Sequence, residues 1–427
     1  MGSTSVKLPV DILMEIFAGL EVPDLARAGS VCSSWRRACT SILDLGCWKQ
    51  RQTPCLLYTA KSRGASTAGL YSLAEKKPYT LAVPDPPIRS RMFIGSAHGW
   101  LITADEHSEL HLVNPVTGDQ IALPSVTTIE GVSPIYGEDG AVQAYQRSWS
   151  WRGWFNEWKT QSDVFALHKL RYYFFEKAFL SCDPSTGSYI VALIHNTDHR
   201  LSFVRGGDDR WTWLSQHDSF EDCVFQDELL YASTTKGAIH VFDLSGPVLK
   251  QKVVLEDVRD NCVEGYRIFI VQAPCGDLLQ IWHQVEDDLS QPELDQQEKD
   301  GDFSEPELDL GPYPHWYPTF KVYRVDLVEK KLVEISNFND NVLFLGFNQS
   351  LCLRADEYPQ LKANHVYFTD VDVYMAICGK NERRSIGVLN LSDNSIEKIV
   401  SPKIWSNWPS PVWITPNPRK MVLRIYD

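Results

Sequence analysis

The amino-acid sequence predicts two unlike parts, a small all-α unit at the amino end and a large all-β domain behind it. Three observations carry that expectation. Apolar residues recur at helical spacing between Leu8 and Ile42. From Leu56 onward the helical period fades and short β-rich runs alternate with Gly, Pro, Asn and Asp. Several of those runs repeat one strand–turn–strand pattern.

In the first run Ile12, Leu13, Ile16, Phe17 and Leu20 draw one apolar stripe along a helix. Pro9 sits near its start, where a missing N–H costs nothing, and Gly19 lies near its end. Pro23-Asp24 opens a second short helix, with Asp24 as cap or first-turn carboxylate. The third run places Val31, Cys32, Trp35, Ala38, Cys39 and Ile42 on one side, with Arg36 and Arg37 turned away. A domain this small cannot bury so many apolar groups on itself. The surplus implies a partner that covers it.

Leu8-Pro9, Asp11-Ile12-Leu13, Ile16-Phe17, Leu20, Asp24-Leu25, Arg27, Val31-Cys32, Trp35-Arg36 and Cys39 resemble the F-box pattern almost position for position. Gly29 departs from it, where a better helix former is usual, at a cost of roughly 1 kcal/mol relative to Ala. The resemblance implies docking on a Skp-type adaptor, and through it on a cullin-RING ligase. It assigns that docking to Leu8, Pro9, Ile12, Leu13, Ile16, Leu20, Val31, Cys32 and Trp35.

The 427 residues suffice for one small and one large domain. With 44% hydrophobic and 22% charged residues the composition is that of a soluble globular protein, and fourteen Trp suit a β architecture. No apolar run is long enough to cross a bilayer. Pro9, Asp11 and Glu15 interrupt the N-terminal stretch, so it does not read as a signal peptide. Residence in the nucleus and/or cytoplasm is expected. Ten scattered cysteines with no C-x-x-C pair, several in apolar strands (Cys223, Cys352, Cys378), read as reduced thiols. A net charge of −14 argues against nucleic acid and anionic membranes as partners.

The strand–turn–strand units turn on Asn114, Asp183, Asp243, Asp326 and Asn390, each able to hydrogen-bond the turn backbone. They recur every 60–80 residues or so, longer than a common blade. The widest gap holds an acidic segment: from Glu286 to Asp309 there are eleven acids against the single base Lys299. Such a stretch cannot repay its ordering entropy and is expected to be mobile. Recurring β units suggest a propeller of about six or seven blades, with paired β-sandwiches as the alternative architecture. The expected boundaries are 5–47 for the helical unit, 48–55 for a linker, and 56–427 for the β domain with its acidic insertion at 286–311.

Gly95-Ser96-Ala97-His98-Gly99-Trp100-Leu101 followed by Asn114-Pro115-Val116-Thr117-Gly118 resembles the opening signature of plant F-box-associated propellers. Phe203-Val204-Arg205 with Asp208-Asp209-Arg210-Trp211-Thr212-Trp213 resembles a later blade of that group. Val342-Leu343-Phe344-Leu345-Gly346 with Asn364-His365-Val366-Tyr367-Phe368-Thr369-Asp370 resembles its C-terminal hallmark. The resemblance is to the KIB-type family.

Little in the chain points to catalysis. His107 and His111 have a metal-like spacing but lack the Glu of a zinc protease, and His195 and His199 flank a polar loop. Nucleophile elbows, Walker loops and dinucleotide fingerprints do not occur. No cofactor or metal is expected. Trp149, Trp151, Trp154 and Trp158, with Arg147, Arg152 and Lys159, have the composition of a binding hot spot or of a packing cluster. The expected function is that of a non-catalytic substrate receptor of a Skp–cullin–F-box ubiquitin ligase, its propeller holding the target protein for ubiquitination. A scaffold that sequesters a partner without ligase assembly is the alternative, and a propeller enzyme is a third reading.

Overall fold

The computed structural model describes residues 8–152, 158–196, 198–214, 219–246, 248–259, 266–287, 316–370 and 385–420. Three helices come first: α1 (Val10–Phe17), α2 (Val22–Val31) and α3 (Ser33–Asp44). Among the described residues the β half forms six sheets of four or five strands, and one sheet of three.

The six larger sheets stand around an axis. Their innermost strands are Val412–Ile414, Met92–Ala97, Phe175–Leu180, Phe220–Gln226, Tyr266–Gln272 and Leu351–Arg354. Each packs on the next in that order. The sixth sheet meets the first through Phe344 and Tyr367, whose rings abut Trp413. This is a six-bladed propeller. The paired-sandwich alternative fails because the sheets follow one another radially instead of stacking in two layers.

Closure joins the chain ends. Val412–Ile414 pairs antiparallel with Cys55–Tyr58, so the first blade is completed by the C-terminal strand. The five Asn and Asp residues sit in turns, each accepting from backbone two or three residues on. Four of them lie in the outermost hairpin of a blade. Asp183 instead turns the innermost hairpin of the third, so the repeat seen in the sequence mixed two phases.

The Gly95–Leu101 segment owes its composition to closure. A side chain on Gly95 would come within 2.2 Å of the Ala178 carbonyl on the neighbouring blade. Ser96 donates to the Trp413 carbonyl of the closing strand. Gly99 has φ +83°, and a Cβ there would lie 2.1 Å from Asn417. Trp100 Nε1 donates to Asp183 at 3.1 Å. Asn417, just past the closing strand, donates to the His98 carbonyl and to Asp183, both at 2.9 Å. Burial works against the charge of Asp183, but donors from Asn417, Ser185 and Trp100 outweigh it and hold its carboxyl below the usual range.

Three inner strands carry the same irregularity, a register shift at Phe93/Gly95, Phe175/Lys177 and Phe220/Asp222. After the bulge, Lys177 and Asp222 face each other as a buried ion pair at 2.7 Å. Asp222 also accepts from Ile270 N at 2.9 Å and Ser350 Oγ at 2.8 Å. One carboxylate therefore ties the third, fourth, fifth and sixth blades.

The structure adds two features that the sequence did not announce. Leu167–Phe174 is a helix, α4, with Leu170, Arg171 and Phe174 buried. The buried Arg171 guanidinium donates to the Ser90 carbonyl at 2.6 Å and to the Ala104 carbonyl at 3.4 Å, fastening α4 to the second blade. The helix runs directly from one strand into the next, with no capping side chain, Pro or Gly to mark its ends. The three-stranded sheet, with strands Val132–Tyr136, Val142–Arg152 and Trp158–Ala166, lies outside the ring, because the second and third blades pack directly on each other. Of the acidic insertion 286–311, all but Glu286 and Asp287 lies outside the described residues.

Two outcomes are expected. Gly99→Ala should cost about 1–2 kcal/mol through its left-handed backbone and the displaced Asn417, read by thermal unfolding together with faster amide exchange at 415–419. Lys177→Met should cost about 3–5 kcal/mol by stranding the Asp222 carboxylate, and adding Asp222→Asn should recover part of it, read from denaturant midpoints.

Candidate functional site

The helical unit has its own core. Leu13 and Phe17 from α1, Leu25 and Ala28 from α2, and Ala38, Cys39 and Ile42 from α3 pack together with Trp48 from the following segment. Pro9 precedes α1, and its carbonyl accepts from Leu13 N. Pro23 stands in the first turn of α2, as expected of a residue without an N–H. Cys32 adopts an extended backbone between α2 and α3, which turns the chain and separates the two helices. A Cβ on Gly29 would only touch Cys39 at an ordinary 3.5 Å, so helix packing does not demand glycine there.

With that core complete, a set of apolar groups is left over. Leu8 (45% exposed), Ile12 (42%) and Ile16 (52%) follow one another at four-residue steps, and Val31 is 63% exposed. Pro9 and Cys32 are also exposed, while Leu20 and Trp35 are half-buried. Trp35 lays its ring edge-on against Phe17 at 5.0 Å, so it serves the core as well as the surface. Leu13 is the correction within the expected docking set. At 2% exposed it belongs to the internal core and has no face to offer a partner. The expected single face of the third run also divides. Ala38, Cys39 and Ile42 point inward, whereas Val31 and Cys32 precede the helix and point out.

The segment between the two domains is firmly held. Gln52 Oε1 accepts from Val22 N at 2.6 Å, and Glu21 accepts from Thr53 N at 3.0 Å and pairs with Lys49. Gln52 and Thr53 are buried. Sequence reasoning missed this. The signal available was Trp48, an aromatic too large to belong to a loose connector.

Within the propeller the channel is filled from one side. The 346–350 loop reaches across it: Gln349 N donates to the Ser96 carbonyl at 2.9 Å, and Gln349 Oε1 accepts from Leu180 N at 3.1 Å. Phe347 is buried among the cores of the first three blades. A cavity of about 370 Å³ remains at the mouth beside Trp48 and Pro54, lined also by Trp413, Asn417 and Arg419. Gly346, in the C-terminal hallmark, has φ +152°, and a Cβ there would meet Thr369 Oγ1 at 2.0 Å. His111 lies 4.0 Å from Asp105, with its pKa lowered chiefly by burial. His199 Nδ1 lies 2.6 Å from Glu176. Among the described residues no group of three His, Cys, Asp or Glu side chains could hold a metal. Nor is any described helix long and apolar enough to cross a membrane.

The Trp-rich run falls in the three-stranded sheet. Arg147 is held by Asp163 at 3.1 Å, with its guanidinium 4.9 Å from the Trp149 ring and 5.0 Å from that of Phe165. Trp149 is half-buried. Trp151 lies opposite Lys159 and Trp158 opposite Arg152 in the strand register. Trp154 lies outside the described residues. The described part of the run is therefore no part of a blade.

Leu13→Ala should cost about 2–5 kcal/mol, as for a buried Leu. Ile16→Ala should stay within roughly 0.5 kcal/mol of the parent. Chemical denaturation of the two variants separates core from surface.

An F-box-like family matches residues 6–45, and the KIB1-4 beta-propeller family matches residues 70–390. F-box protein SKIP23 of Arabidopsis thaliana is 26% identical over 431 aligned positions, covering 96% of each chain. F-box only protein 7 of the same plant is 28% identical over 278 positions, 64% of this chain and 65% of that protein. The match thus spans somewhat under two thirds of the latter's length. The β-propeller domain of Myceliophteria thermophila Cps50 (Swd1) superposes over 82% of this chain and 86% of that one, with a TM-score of 0.32 and 11% identity. The chain belongs to the KIB1-4 β-propeller family and carries an F-box-like domain ahead of its propeller.

Proposed function

We propose that this chain is the substrate-recognition subunit of a Skp–cullin–F-box ubiquitin ligase, working in the nucleus and/or cytoplasm. An F-box joined to a β-propeller is an architecture typical of non-catalytic adaptors. The observation that carries the reading is the set of apolar side chains left outside a finished helical core: Leu8, Pro9, Ile12, Ile16, Val31 and Cys32. A Skp-type adaptor seated there would remove them from water, each large side chain contributing about 1.5–3 kcal/mol at full burial. Association itself costs about 4–15 kcal/mol, so the sum leaves room for a stable complex without fixing its affinity.

The propeller's part is to hold a target protein. A receptor of this kind needs no reacting group of its own. It raises the effective concentration of the target at a conjugating enzyme carried by the same assembly. The half-buried Trp149 beside Arg147, set on a sheet the ring does not need, is the target-binding candidate with described geometry.

The test is capture of a purified Skp-type adaptor by the full chain. Ile12→Asp with Ile16→Asp places two carboxylates on the exposed stripe without entering the core, and should weaken capture at least about tenfold with an unchanged melting temperature. Capture that survives the double substitution would overturn the proposal. Trp35 is a poorer probe, because its contact with Phe17 mixes docking with stability.

A further inference from the structure

We infer that the F-box and the propeller move as one body, fixed by three separate contacts, so that whatever binds the F-box is held at a preset angle to the propeller. The first contact is at the N-terminus of α2. No side chain at its own N-cap bonds the helix, and its leading N–H goes to Gln52 instead. Glu21, immediately before α2, accepts from both the N–H and the hydroxyl of Thr53, which lies two residues ahead of the first propeller strand. The segment between the domains therefore caps the helix it leaves behind.

The second contact lies further along α2. Arg27 pairs with Glu75 at 2.6 Å, in the turn between the third and fourth strands of the first blade, and donates to Tyr79 at 3.1 Å, on the fourth. Tyr79 donates in turn to Glu75. Burial and the Glu75 bond push the Tyr79 phenol up to about 12, so it remains a donor throughout the physiological range.

The third contact comes from the far end of the chain. Trp48 is part of the F-box core, and the Arg419 guanidinium lies over its ring at 5.5 Å. Arg419 also reaches Asp183 at 3.6 Å, the carboxylate held by Asn417 and Trp100. The strap that follows the closing strand thus touches the F-box core and the closure of the ring together. Three contacts at separate places on the two parts oppose rotation between them, whereas a bare linker over 45–54 would leave a broad distribution of separations.

The angle matters under the ligase reading above, since a fixed angle fixes where a target on the propeller stands. The inference itself is geometric and is tested on the chain alone. Fluorophores placed by unnatural amino acids at Asp44, which ends α3, and at Val328, in an exposed turn of the fifth blade, report the separation by single-molecule energy transfer. The wild-type chain is expected to give one narrow distribution. Arg27→Ala with Arg419→Ala removes two of the contacts at side chains about half exposed, 52% and 43%, and so spares the folded core. It should about double the width of the distribution while leaving the thermal transition in place. A wild-type distribution already broad, or a double variant no wider than the parent, would overturn the inference. Adaptor capture measured in parallel separates the two readings: its failure in the wild-type chain would remove the ligase function and leave the single-body result standing.

Discussion

The structure depends on one pairing, that of Val412–Ile414 with Cys55–Tyr58. A ring of sheets has no internal reason to stop, and an unclosed one ends in two unpaired edges. By placing the last strand beside the first, the chain satisfies both. It also turns several local features into parts of one joint. Gly99 permits the close approach of Asn417, Ser96 reaches the Trp413 carbonyl, and Trp100 and Asn417 share Asp183. Residues more than two hundred positions apart are thereby made immediate neighbours.

Inside the ring the burden shifts from apolar packing to a few buried charges. Lys177 and Asp222 are both almost completely buried, and a lone charge there would be intolerable. Together, and with Ile270 N and Ser350 Oγ also bound to the carboxylate, they join four blades. In two of the three bulged inner strands the shift falls at a charged residue, Lys177 and Asp222, and in the other at Gly95.

The two domains contrast in completeness. The propeller has closed its edges and filled its channel from within through the 346–350 loop. The F-box has closed a core of eight residues and still shows Ile12, Ile16 and Val31 to solvent. A small helical unit with this surplus has a core of its own and is unfinished as a surface, which is the physical content of a docking module. The bonds from Glu21, Val22 and Arg27 to the linker and first blade mean that this surface is presented in one orientation.

Much was legible in the sequence for physical reasons that act locally. The helical period of the first run, the Pro and Asp at its boundaries and the Asx turns at Asn114, Asp243, Asp326 and Asn390 all depend on neighbours a few residues away. The side on which a residue lies was less legible. Leu13 and Ile12 are adjacent and equally apolar, yet one is buried and the other exposed, because α3 packs on only one flank of α1. The linker looked like a connector because its function is to receive bonds from Glu21 and Val22, and nothing in its own residues announces that. The Trp-rich run read as a hot spot or as a packing cluster, and its place was open because strand pairing alone cannot say whether a sheet joins a ring. The sequence by itself determined most of the helices, strands and turns, since those choices are set within a few residues of backbone, though not α4 (Leu167–Phe174), whose ends carry no local mark. Only the tertiary structure decided the six-fold closure, the buried ion pair and the welded F-box, since each is a contact between segments whose separation along the chain carries no local signal.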